Sequence, residues 1–247
     1  MIKTDEKSVL VTGAGQRIGR AIALDLAGLG WSVAVHFNRS RAEAEEVVAE
    51  IVSGGGRAIA VQADLFEEAE VSALLDLAGQ ALGPITALIN NASTFERDTV
   101  GTATRETWDK HMEANLRAPF VLTQKFVEQL PKALDGCVIN IIDQRVWNLT
   151  SDFTTYTLSK AGLWGLTQIL ARSLAPRVRV NGIGPGPVLQ SVHQSPEAFE
   201  AERQAMPLDR RILPEDICAA VRYILNAPVV TGQMIAVDSG QHMVKET

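Results

Sequence analysis

Tyr156 and Lys160 are spaced for proton transfer: they stand four residues apart at the start of a helix-period segment, on one face of one helix. An ammonium beside a phenol favours the tyrosinate. It lowers the tyrosine pKa from a reference near ~10 and makes the side chain a usable proton relay. The pair alone is a common accident of sequence, so its weight comes from its company. Asn90-Asn91-Ala92 follows a short apolar run, and Asn115 lies in the next helical region.

A second constellation could bind phosphate. Thr12-Gly13-Ala14-Gly15-Gln16-Arg17-Ile18-Gly19 leaves the first apolar run and opens a helix. Glycines allow a tight turn and close backbone approach to a pyrophosphate, while the helix start offers free N–H groups and a positive dipole end. A turn glycine-rich for steric reasons alone is the alternative, but its place between a first strand and an amphipathic helix favours a dinucleotide site. The second run ends in His36-Phe37-Asn38-Arg39-Ser40-Arg41, without the carboxylate that usually binds a ribose 2′-hydroxyl. Arg39 can fork onto a 2′-phosphate with Ser40 donating a further hydrogen bond, so the cofactor expected is NADP(H); a solvated loop arginine is the other reading. Asp64, followed by Leu65, either accepts a hydrogen bond from the adenine amino group or caps a turn.

The elements that must position these residues alternate regularly. Strand-like runs cover Ser8–Thr12, Ser32–Phe37, Ala58–Gln62, Ala87–Asn90, Cys137–Ile142, Arg177–Ile183 and Met234–Val237. Helical patterns lie between them, including Ile18–Leu29, Arg41–Val52, Glu67–Leu82, Leu116–Leu130 and Tyr156–Leu174. The strand runs are continuously apolar, as when helices cover both sheet faces. Right-handed crossovers then give an α/β fold: one doubly wound, parallel Rossmann-type sheet of about seven strands, whose ligands sit beyond the strands' carboxyl ends.

Composition bounds the rest. A chain of 247 residues, 46% hydrophobic, suffices for one large domain over 1–247, and no linker divides it. The net charge of -6, without a basic stripe, argues against nucleic acid. Cys137 and Cys218 are isolated, His36, His111, His193 and His242 lack metal-ligand spacing, and neither a signal core nor a membrane-length apolar run is present. The expectation is a cytoplasmic protein without metal, membrane or nucleic-acid partners.

Taken in order, the TG turn, the NNA segment, Asn115, YxxxK, Asn181 and Pro185-Gly186 resemble the short-chain dehydrogenase/reductase family over nearly the whole chain. The resemblance implies that Lys160 also binds the nicotinamide ribose. It further implies that Asn115 helps hold a relay water, that Pro185 and Gly186 line the nicotinamide end, and that the assembly is a homotetramer. Two departures narrow it. Arg17 stands where the turn usually has its middle glycine, and Asp143, thirteen residues before Tyr156, stands where the family usually has a serine. A hydroxyl can stabilise an alkoxide, whereas an ionised carboxylate repels one. Reduction of a C=N bond instead needs a proton delivered to nitrogen, and a carboxylate pairs well with the N–H groups of a pterin-like ring.

These features resemble the pteridine reductase branch: TGxxxRxG, Arg39-Ser40, Ser93-Thr94-Phe95 after NNA, and an aspartate at 143. That resemblance implies Phe95 stacking on the pterin, Ser93 contacting substrate or phosphate, and Arg17 bridging phosphate and substrate. It also implies catalysis by Asp143 and Tyr156, and a substrate-covering loop within His193–Leu213, with helix-like Pro196–Met206. Val188–Gln194 is a segment whose order can depend on ligand. Taken singly, Phe95 can also be a loop aromatic tucked on the core, and Arg17 a surface ion pair. The expected activity is NADPH-dependent reduction of dihydropterins, with dihydrofolate a further substrate. The alternatives are a carbonyl reductase acting on a 3-oxoacyl thioester or small ketone, and a non-catalytic dinucleotide-binding sensor.

Overall fold

The computed structural model describes residues 7–190 and 194–244. Seven strands form one sheet: β1 (Ser8–Val11), β2 (Ser32–Phe37), β3 (Ala58–Gln62), β4 (Ala87–Asn90), β5 (Gly136–Ile141), β6 (Val178–Pro185) and β7 (Met234–Val237). Their order is β3-β2-β1-β4-β5-β6-β7, and every pair is parallel. The doubly wound sheet expected from the apolar runs is the one observed. Strand order reverses between β1 and β4, opening a crevice at their carboxyl ends.

Alternating side chains explain why the strands read as continuous apolar runs. Val9 and Val11 of β1 enter one core with Val33, Val35 and Ile89, while Leu10 enters the opposite core with Ala34, Leu88 and Val138. The first core is closed by α1 (Arg17–Gly28), α2 (Arg41–Ser53) and α8 (Pro214–Asn226); the second by α3 (Glu68–Leu82), α5 (Ala118–Gln129) and α6 (Thr154–Leu174). Ile217, Val221 and Ile224 form the buried stripe of α8, which packs on α1. Leu10 is fully buried, so Leu10→Ala would cost about 2–5 kcal/mol.

Boundaries near the crevice differ from the sequence reading in instructive ways. β6 continues past Ile183 because Gly184 and Pro185 still pair with Ala236 and Val237. A further helix, α4 (Arg105–Met112), starts from a Thr104/Thr107 capping box. Between α4 and α5 the chain forms a π-helical turn, Glu113–Arg117, a distortion frequently found at functional sites, and Asn115 sits in it. The helix expected from Pro196 is α7 (Pro196–Gln204). His193 and residues 191–192 lie outside the described residues, as do 1–6 and 245–247.

Candidate active site

The glycine turn is shaped by backbone needs that can be named. Gly13 has φ +62°, a conformation L side chains rarely adopt. A Cβ at Gly19 would fall 2.3 Å from the Gly13 carbonyl oxygen and 2.6 Å from Asn91 Nδ2, so helix and turn approach closely only with glycine there. His36 fixes the turn from β2. Its Nδ1 accepts the Gly13 N–H at 3.0 Å, which leaves the proton on Nε2 to be donated to the Ala63 carbonyl at 3.1 Å. Burial pushes its pKa down to about 4, so the ring stays neutral at ordinary pH. On the other side, Thr12 Oγ1 accepts the N–H groups of Asn91 and Ala92, both at 2.9 Å, and Asn91 Nδ2 donates to the Thr12 carbonyl at 2.9 Å. The NNA segment is thus the brace of the turn.

Arg17 follows at φ +54°, which costs a non-glycine residue roughly 1–2 kcal/mol and explains why glycine is usual at this place. Its guanidinium donates to the carbonyls of Leu189 (3.1 Å) and Gln190 (3.2 and 3.3 Å). α1 starts without a side-chain cap and without an acidic residue in its first turn, so its leading N–H groups face the crevice unclaimed by a side chain.

Two adjoining cavities occupy the crevice. The larger, about 780 Å³, is lined by Gly13, Arg17, Ile18 and Gly19 of the turn and by Phe37, Asn38, Arg39 and Ser40 after β2. Leu65, Asn91, Ala92 and Ser93 complete the part foreseen from sequence. Asp64 is not among its lining residues: Oδ1 accepts the Phe66 N–H at 3.1 Å, the turn-capping alternative. The second cavity, about 420 Å³, shares Arg17, Ile18, Asn91 and Ser93 with the first and adds Phe95, Asp143, Tyr156, Lys160, Pro185 and Gly186.

Proton-carrying groups converge in the second cavity, though not as expected. The Tyr156 hydroxyl donates to Asp143 Oδ2 at 2.8 Å, while Asp143 Oδ1 accepts the Arg145 N–H at 2.8 Å. Burial, and after it the charge of Asp143, pushes the Tyr156 phenol well above its usual value. Lys160 is buried and donates to the Ile141 carbonyl at 2.9 Å, and burial pulls its pKa down to about 8. The expected depression of the tyrosine pKa by Lys160 is therefore corrected. The carboxylate, not the ammonium, is the hydroxyl's partner, and the phenol is held as a proton donor. Asn115 lines neither cavity. Its Oδ1 accepts from Ser93 Oγ (3.1 Å) and Thr94 N–H (2.9 Å), and its Nδ2 donates to the Thr94 carbonyl and Ser159 Oγ. That side chain is fully spent on structure, so any hold on a water would fall to its main chain.

Phe95 lies parallel to Phe153 at 4.4 Å and 8°, and edge-on to Tyr156 at 4.7 Å. The Arg145 guanidinium lies 5.2 Å from the Phe153 ring centre. Phe153, Arg145, Gln194, Glu202 and Gln241 line the second cavity without having been singled out in the sequence. Glu202 accepts from the amides of Gln194 (2.7 Å) and Gln241 (2.6 Å), tying α7 to the turn after β7. Phe153 stood only three residues before the YxxxK pair, and Gln194 and Glu202 fall within the stretch His193–Leu213 read as a substrate-covering loop; Arg145 and Gln241 carry no local signal. Among the described residues, no cluster of three or more His, Cys, Asp or Glu could hold a metal, and no helix is long and apolar enough to cross a membrane.

Known proteins resemble this chain throughout. The short chain dehydrogenase family model matches residues 7–201. A 3-oxoacyl-[acyl-carrier-protein] reductase of Synechocystis is 35% identical over 95% of this chain and 96% of its own. The FabG 3-oxoacyl-[acyl-carrier-protein] reductase of Staphylococcus aureus is 34% identical over 96% of this chain and 98% of its own. The crystal structure of FolM alternative dihydrofolate reductase 1 from Brucella canis, complexed with NADP, superposes with a TM-score of 0.96 at 47% identity, covering 99% of this chain and 97% of that one.

Proposed function

The chain belongs to the short-chain dehydrogenase/reductase family, and from that premise we propose that it is an NADPH-dependent reductase of dihydropterins, with dihydrofolate a further substrate. The carrying observation is the 2.8 Å hydrogen bond from the Tyr156 hydroxyl to Asp143 Oδ2 inside the second cavity. A carboxylate at that place opposes a growing alkoxide but suits a ring whose nitrogen takes up a proton and whose N–H groups need an acceptor. The solved Brucella canis structure, described as an alternative dihydrofolate reductase, supports the same reading.

The first cavity fits NADPH. Arg39 and Ser40 offer a guanidinium fork and a hydroxyl for a 2′-phosphate, with no carboxylate at the end of β2 to oppose it. The uncapped start of α1 suits a pyrophosphate. The cofactor, when bound, supplies the hydride. Lys160, Pro185 and Gly186 would border the nicotinamide end, and Ser93 and Arg17 stand where both cavities meet. Phe95 offers a flat face for a heterocycle, and Tyr156 Oη delivers the proton to the ring nitrogen of the reduced C=N bond. Asp143 orients that hydroxyl and takes the N–H groups of the ring. We further read the protein as cytoplasmic and as a homotetramer. In support of assembly, Leu116, Phe120, Leu166 and Ile169 line an apolar groove between the π turn, α5 and α6.

The second reading is a carbonyl reductase, favoured by the 34–35% identity to 3-oxoacyl-[acyl-carrier-protein] reductases. NADPH oxidation with dihydrobiopterin, dihydromonapterin, dihydrofolate and an acetoacetyl thioester separates the two. Turnover of a dihydropterin well above the thioester is expected; brisk thioester turnover with every pterin inert would overturn the proposal. NADPH binding without turnover of any of them would instead indicate a sensor.

A further inference from the structure

Helix α6, which carries Tyr156 and Lys160, begins abnormally. Its N-cap is Phe153 at φ +58°, a residue unable to accept the leading N–H groups. Asp98, 57 residues before Thr155, does so instead. Its main-chain carbonyl accepts the N–H groups of Phe153 (2.8 Å) and Thr154 (3.4 Å), and its Oδ1 accepts that of Thr155 (3.0 Å). Oδ2 accepts the Thr155 hydroxyl. Asp98 is only 2% exposed, so the cost of burying its charge is met by these donors and by the positive end of α6.

The same hydroxyl is held from a third element. His111 of α4, fully buried, lies 2.7 Å from Thr155 Oγ1 through Nδ1 and accepts the Glu96 N–H at Nε2 at 3.0 Å. Because Nε2 is an acceptor, the proton is on Nδ1, and the donors run in one direction: Glu96 N–H to His111, His111 to Thr155, Thr155 to Asp98. Burial holds the His111 pKa below its usual value, consistent with a neutral ring. His111 also lies edge-on to the Tyr156 ring at 5.9 Å. The chain thus fastens residues 95–98, α4 and the first turn of α6 at one point, beside the stacked Phe95 and Phe153.

We propose that Asp98, Thr155 and His111 are positioning residues for the reduction, setting the Tyr156 hydroxyl and the Phe95–Phe153 wall in register with each other. None lines either cavity, so they act through Tyr156 and Phe95. The inference needs Tyr156 as proton donor but not a pterin as acceptor.

Thr155→Val removes the hydroxyl at nearly constant volume, and Thr155→Ser keeps it. With the substrate wild type turns over best, kcat of Thr155→Val should fall about tenfold or more, because small displacements of a reacting group carry large rate penalties. KM for that substrate should rise, and Kd for NADPH should stay within about twofold, because the glycine turn is not touched. Thr155→Ser should restore kcat to within about threefold of wild type. Asp98→Asn should behave like Thr155→Val, and decides the matter if the valine variant does not fold. Folded variants with unchanged kcat and KM, a serine variant as impaired as the valine one, or a parallel loss of NADPH affinity would overturn the proposal. If only the thioester is reduced by wild type, the pterin reading falls while this comparison proceeds on the thioester.

Discussion

Asp143→Ser puts the family's usual hydroxyl where this chain has a carboxylate, and its consequences can be worked from the geometry. The substitution deletes the 2.8 Å acceptor of the Tyr156 hydroxyl and the 2.8 Å acceptor of the Arg145 N–H. A hydrogen bond to a charged group contributes about 1.5–3 kcal/mol. Losing the one that orients the proton donor should lower kcat/KM for a dihydropterin about ten- to one-hundred-fold. The same change should leave reduction of an acetoacetyl thioester unharmed or raise it, since a hydroxyl can stabilise the alkoxide. A second readout is the pH profile. Tyr156 must be protonated to donate, so activity is present below its pKa and lost as pH rises through it. Removing Asp143 deletes its charge but leaves burial, so the alkaline limb should move to lower pH. The assay is NADPH consumption with each substrate across pH, on protein shown by circular dichroism to be folded. Equal losses on both substrates, or unchanged dihydropterin turnover, would refute the assignment of Asp143.

Other consequences are independent of Asp143. Arg39→Ala should weaken NADPH about ten- to one-hundred-fold and NADH less than about threefold, by the worth of one charge-assisted contact; equal loss of both in fluorescence titrations would remove the 2′-phosphate assignment. His36 binds its proton less readily folded (about 4) than unfolded (6.5), so the unfolded state gains protons first on acidification. Stability should therefore fall as pH drops from 6.5 to about 4, by about 3 kcal/mol from this group, and level off below. Urea denaturation of His36→Gln should show a flatter slope in that window, and an unchanged slope would contradict the buried-neutral account. Gly19→Ala places a methyl 2.3 Å from the Gly13 carbonyl oxygen, so the turn must shift. A loss of roughly 1–3 kcal/mol in urea denaturation, with weaker NADPH binding, is expected, and wild-type values for both would show that the turn yields freely.

The sheet was legible because both its faces are covered: Val9, Leu10 and Val11 are each buried, which makes β1 a plain apolar run. In the crevice, Gly13 was legible as the turn glycine, and the motif order brings Arg39 and Ser40 to one cavity and Asp143, Tyr156 and Lys160 to the other. The site was illegible where partners meet only through the fold. Asp98 and Thr155 are 57 residues apart, and neither shows locally that one caps the other's helix. Glu202 reaches Gln241 across 39 residues. Asp64 was ambiguous for a different reason: a turn-capping and a ligand-binding aspartate look alike in sequence, and the bond seen here is the cap on the Phe66 N–H. Direction of hydrogen bonding was likewise hidden. Spacing placed Lys160 beside Tyr156, but burial sent the ammonium to the Ile141 carbonyl and left the phenol to Asp143.

Arg17 has a foot in each chamber, with its guanidinium fastened to the carbonyls of Leu189 and Gln190 in the loop after β6. Occupancies of the two chambers then form a single thermodynamic problem. An anion that draws the guanidinium toward itself alters the tether on 189–190, and with it one wall of the neighbouring chamber. Whatever factor the first guest adds to the affinity of the second, the second must return to the first. Any such coupling would run through one side chain held in a costly backbone pose.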